Sequence, residues 1–196
     1  MKNILFIMLL CASVSGYAQK IKLVEGSLAP LKGEKTVNSE FTYDNMKVGK
    51  FDKEEDYLAK KKAEYNEKEA GSGEKWEKAW IDDRKERFEP QFRELFAKTS
   101  EMSSVDASAK YTMIVHTTFT EVGFNVGVMS KPAFINMEVT VVETANRDKV
   151  VAKITVMNAP GRSAFGYDFE TGLRLQEAYA KAGKEIGNFF AKNIKK

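Results

Sequence analysis

Cysteine and histidine are almost absent: the 196 residues hold one of each, Cys11 and His116. A single cysteine closes no disulfide within the chain, and one cysteine with one histidine cannot build the Cys/His cages that hold structural zinc. A surplus of one charge is missing too. Lys and Arg number 31 against 28 Asp and Glu, a formal charge of +3, which gives no clustered basic footprint for nucleic acid. Long apolar runs are also lacking. The longest, residues 4–12, falls short of the roughly 20 residues a helix needs to cross a bilayer.

What stands at the amino terminus has the three parts of a secretory signal. Lys2 supplies the positive start and residues 4–12 the apolar core. Residues 13–18 turn small and polar, with Gly16 and Ala18 placed for a peptidase that cuts after Ala18. Cys11 invites a lipid anchor, but Leu9 and Leu10 stand where that machinery requires small residues, so the cleaved-signal reading prevails. The expectation is an exported chain, periplasmic or secreted, that starts at Gln19 and is free of cysteine. Residues 19–196 then form one domain, and a chain of that length buries enough surface to fold without a disulfide.

The body of the chain changes texture along its length. Residues 21–24 are a short apolar stretch followed by turn chemistry at Gly26, Ser27, Pro30 and Gly33. Residues 36–44 alternate, with Val37, Ser39, Phe41 and Tyr43 on one side, as a half-buried strand does. Residues 53–98 are charged and helical. Asp52 is placed to cap the first turn and Gly71-Ser72-Gly73 to break the helix. Beyond the break Trp76, Trp80, Arg84, Phe88, Phe92 and Phe96 recur every four residues. Pro90 interrupts this stripe and predicts two helices or a kink. Residues 111–157 alternate again, as strands 111–119, 133–143 and 150–157, with a polar hairpin at 144–148. Residues 171–192 make an amphipathic helix whose Gly183 and Gly187 imply a close approach, most simply to the sheet.

The pattern predicts an α+β fold: a mainly antiparallel sheet of four to five strands, with helices on one face. A simple meander of the three late strands brings residues 120–132 and 158–169 to one end of that sheet. The first segment is apolar and rich in glycine, and the second carries aromatics and an arginine, residue types that anchor interfaces. Phe124, Met129, Arg162, Phe165 and Tyr167 are the candidate binding residues.

Catalytic motifs fail. Gly71-Ser72-Gly73 lies between helices and forms no nucleophile elbow. Gly161 and Gly166 have the spacing of a phosphate loop, but Tyr167 and Asp168 stand where its lysine and hydroxyl belong. His116 falls on the strand face opposite Met113 and Val115 and would need distant acids as partners. No cofactor or metal is implied.

Residues 123–128 (Gly-Phe-Asn-Val-Gly-Val), then Lys131-Pro132-Ala133, Arg174 and residues 177–184 resemble a family of uncharacterised exported bacterial proteins, over about residues 110–192. More distantly, strands followed by a closing Ala/Gly-rich helix look like envelope α/β domains. The amino-terminal domain of TolB and the periplasmic domain of the curli-secretion lipoprotein are examples. That likeness implies assembly rather than catalysis. The expectation is a non-enzymatic envelope protein that binds another envelope protein or a surface polymer. The alternative is a small-ligand carrier with an apolar pocket between helices and sheet.

Overall fold

The computed structural model describes residues 19–126, 129–162 and 171–195. Its centre is a six-stranded sheet. The strands are β1 (Lys20–Gly26), β2 (Asn38–Thr42), β3 (Lys47–Val48), β4 (Tyr111–Glu121), β7 (Phe134–Glu143) and β8 (Asn146–Pro160), and they lie in the order β1-β8-β7-β4-β2 with β3 also on β4. Between β4 and β7 a separate two-stranded ribbon forms from β5 (Phe124–Val126) and β6 (Met129–Lys131). The helices are α1 (Glu54–Asn66), α2 (Ser72–Asp83), α3 (Glu89–Ser100) and α4 (Thr171–Ile194).

The period-2 alternation becomes two unlike faces. Leu23, Ile154, Val139, Val115 and Phe41 stand in one row across five strands, facing the helices. The next row, Lys22, Thr155, Glu138, His116 and Thr42, faces away. Helices cover the apolar face alone, so the fold is α+β with a mixed, mostly antiparallel sheet. A sheet covered on one side needs this alternation, because each apolar side chain left in water forfeits about 1.5–3 kcal/mol of burial.

Two features of the sheet differ from the sequence reading. Residues 21–24 belong to a full strand: β1 runs antiparallel along β8, Lys20 opposite Met157, and makes one edge. At the other edge β2 runs parallel to β4, as does β3. Alternation tells which side chains face inward but not which way a neighbour runs. The late meander stands as expected, with longer strands and a two-residue turn at 144–145 in place of the hairpin 144–148.

The aromatic stripe forms one continuous helical path. At residues 84–88 it widens into a π turn, and the N–H of Glu89 reaches back five residues to the Arg84 carbonyl. Pro90 then sits at the start of α3. An i→i−5 step relieves the clash that a proline ring makes with the carbonyl four residues before it, so the chain carries on instead of breaking. Phe92, Phe96 and Phe190 are fully buried, with Phe96 and Phe190 edge to face at 5.2 Å.

Other expectations are corrected in detail. Asp52 does not cap α1; Lys53 holds that position without a side-chain bond, and Asp52 pairs with Lys47 at 2.6 Å. The glycines of α4 do approach a neighbour closely, but the neighbour is α3. A Cβ on Gly187 would lie 2.7 Å from the Phe96 carbonyl oxygen. Ridges of both helices need that gap to interlock.

Candidate functional site

The segment between β4 and β7 is a ribbon instead of a loop. Phe124 pairs with Lys131, Asn125 with Ser130 and Val126 with Met129. Gly123 opens it with φ 71°, and a Cβ there would stand 2.7 Å from the Lys131 carbonyl oxygen. Both the left-handed backbone and the narrow gap restrict this position to glycine.

Charges hold the ribbon's root. Glu121 is buried at the end of β4, ion-paired with Lys131, and accepts the Gly123 N–H at 3.2 Å. Arg174 at the start of α4 is 2% exposed; its Nε donates to the Val122 carbonyl at 3.1 Å and a terminal nitrogen to Thr171 Oγ1 at 3.0 Å. Buried ionic groups are tolerated only when paired and hydrogen-bonded, and once in place they fix geometry. The exit of β8 is tied to the same root. The Gly161 N–H donates to the Ala133 carbonyl at 2.7 Å, and the Arg162 N–H to the Arg174 carbonyl at 3.3 Å.

On this base Phe124 is 41% exposed and Met129 62%. Arg162 is exposed and borders a surface groove of about 750 Å³ with Gln91, Leu173, Gln176, Glu177 and Lys181. Phe165 and Tyr167 lie outside the described residues, as does Val128. The structure thus brings together the roots of the two predicted segments. Sequence reading missed two buried charged residues behind them, Glu121 and Arg174. The signal available was a lone arginine within the apolar stripe of the last helix.

His116 lies on the open face of the sheet, where its Nδ1 is 2.9 Å from Thr42 Oγ1 and its cross-strand neighbour is Glu138. Among the described residues no group of three or more His, Cys, Asp and Glu side chains is placed to hold a metal ion. No helix among them is long and apolar enough to cross a membrane.

A second polar cluster lies at the π turn. Glu54 accepts from Trp80 Nε1 and from Arg84, both at 2.6 Å. The Arg84 guanidinium lies 4.3 Å from the centre of the Tyr43 ring. The Tyr43 hydroxyl is sealed from solvent without a hydrogen bond of ordinary geometry and interacts electrostatically with Tyr179. Burial pushes both phenols well above their usual range, and in Tyr43 the neighbouring Tyr179 adds to it. Tyr179 Oη is 2.8 Å from Thr117 Oγ1. The cluster joins Tyr43 just after β2 with α1, α2, the π turn, β4 and α4, and serves as a polar seam through the core. The interface between helices and sheet, where a carrier would hold its ligand, is occupied by Phe92, Phe96, Met113, Val115 and Phe190.

No family model matches this sequence, and neither does any curated protein. Three solved structures give weak likenesses. A Xanthomonas campestris protein of family DUF330 aligns at 13% identity and TM-score 0.38, over 54% of this chain and 59% of its own. The chain therefore spans little more than half of that protein. The PelC dodecamer of Paraburkholderia phytofirmans, in two crystal forms, aligns at 10% identity over 84% of this chain and 96% of its own, with TM-scores of 0.36 and 0.37. These three likenesses are to proteins other than the TolB domain and the curli-secretion lipoprotein. At such values they carry no argument about what this chain does.

Proposed function

We propose that the chain is an exported, non-enzymatic binding protein of the cell envelope, and that its contact surface is built on the β5–β6 ribbon with Arg162 beside it. One observation carries this reading: Phe124 and Met129 stand in water on a ribbon whose root is fixed by buried, hydrogen-bonded charge. Apolar side chains on a preorganised support lose little freedom on binding, which is what makes such residues energetic anchors. Phe165 and Tyr167 would extend the same surface, and its partner is an envelope protein or a surface polymer. Export rests on residues 1–18, and purification from the envelope should yield a chain whose first residue is Gln19.

The test compares the wild-type chain with a Phe124→Ser, Met129→Ser double variant in affinity capture from the envelope of the source cells. The variant should melt within about 2 °C of wild type, as exposed substitutions do, and should lose at least nine-tenths of the captured partner. Equal capture by both proteins would overturn the assignment of the surface.

A further inference from the structure

The far edge of the sheet carries a second surface, independent of the ribbon. Among the described residues β1 pairs with β8 alone, and none of their strands lies along its outer row of N–H and C=O groups. Proteins ordinarily cover or blunt such an edge, because it is a template for another strand. Here charge and a bulge do the blunting, with Lys20, Lys22 and Glu25 on the strand and a register slip between Leu23 and Glu25, while Leu23 is 39% and Val24 63% exposed. A groove of about 610 Å³ runs between this edge and α4, with Ile21, Pro160 and Phe189 among its lining residues and Lys181, Lys184 and Lys192 on the helix side.

The charge around it is mainly positive, and the acid on β1, Glu25, is paired with Lys153 at 2.7 Å. Lys181 is balanced by Glu177 at 3.3 Å. Among the described residues no carboxylate forms an ion pair with Lys20, Lys22, Lys184 or Lys192, and Glu185 is the one acid lining the groove. On the open face of the sheet Lys22 stands in the row of Thr155 and Glu138, and on the helix face Leu23 stands in the row of Ile154. A strand laid along β1 would therefore meet Leu23 and the groove, with its rim of α4 lysines, on one side and Lys20 and Lys22 on the other.

We propose that this edge and groove take an extended, acidic segment of a partner polypeptide as a seventh strand, with apolar side chains turned into the groove and carboxylates toward Lys20 and Lys22. A polypeptide is the fitting occupant because its backbone alone satisfies a row of alternating donors and acceptors. The lysines select the sign of the partner: opposite charges side by side across a strand pair attract, and like charges repel. The ribbon surface plays no part in this binding.

The experiment selects ten-residue peptides on the purified protein from a random display library, then synthesises the enriched sequences. Enriched peptides should alternate acidic with apolar residues. Their affinity should fall at least tenfold when alternate backbone amides are methylated, and at least tenfold against a Lys20→Glu, Lys22→Glu variant that melts as wild type does. The Phe124→Ser, Met129→Ser variant should bind them unchanged. Several results would overturn the proposal: no enrichment, enrichment of sequences without acids, or affinity indifferent to amide methylation. Binding of vesicles rich in anionic lipid with no peptide enriched would assign the lysines to a membrane surface instead. Dimerisation abolished by substitutions in β1 would assign the edge to a second copy.

Discussion

Gly183 in α4 lies so close to Phe92 in α3 that a Cβ on it would stand 2.2 Å from the Phe92 carbonyl oxygen. The atom in the way is backbone, within a helix, and cannot swing aside. Alanine would gain about 1 kcal/mol of helix propensity. Forcing the two helices apart costs more, so Gly183→Ala should lose a net of about 2 kcal/mol, read as a fall in Tm of roughly 4–8 °C. Gly172→Ala is the control. Its Cβ would meet Asp83 Oδ2 at 2.0 Å, the far end of a side chain that can turn away, and Tm should move by less than half as much.

Alkaline pH should unfold the protein by a route through Tyr43 and Tyr179. Burial raises both phenols, so the folded state keeps their protons while the unfolded state releases them near the ordinary value of about 10. The associated stability is fully present below pH 10 and falls as pH rises beyond it. Absorbance at 295 nm should show phenolate from these two residues appearing only together with loss of the near-UV dichroism. Tyr43→Phe should shift the alkaline midpoint upward.

Glu54 is the shared acceptor of Trp80 and Arg84, and its side chain is 12% exposed against 17% for Arg84. Glu54→Ala should strand the guanidinium in a partly buried seam and cost about 2–3 kcal/mol, somewhat below a fully buried pair. Urea denaturation should show a lower midpoint at unchanged slope.

Arg174→Met should loosen the ribbon root. It removes the donors to Val122 and Thr171 and leaves a partly buried carbonyl with one bond fewer, a loss of about 1–2 kcal/mol. Hydrogen exchange at residues 122–126 should quicken at least tenfold, while the strand pairing of β7 with β8 keeps its protection.

The sheet and its inward residues could be read in the sequence because burial on one face imposes alternation, and Met113, Val115, Ile135, Met137, Val139 and Ile154 all show it. The aromatic stripe could be read for the same reason, at a different period. Strand direction could not, since nothing in Asn38–Thr42 encodes whether β2 runs with or against β4. Pro90 predicted two helices or a kink because its missing N–H and bulky ring are visible locally, whereas the π step that absorbs them, with the Glu89 N–H on the Arg84 carbonyl, leaves no mark in residue type. At the candidate site, Phe124, Met129 and Arg162 stood out by residue type. Glu121 and Arg174 did not, because what makes them matter is contact between separate segments, Glu121 with Lys131 of β6 and Arg174 of α4 with Val122.

The pairing of Lys20 with Met157 has a temporal side. The strand made first lies along nearly the last one made, so no partial chain can close its own sheet. Until residues near 157 have emerged, β7 lacks one of its two strand neighbours and β1 has none, and contacts that span so much chain form slowly. Anything that grips the lengthening polypeptide, whether a chaperone or a translocation channel, meets a thread that is still pliable.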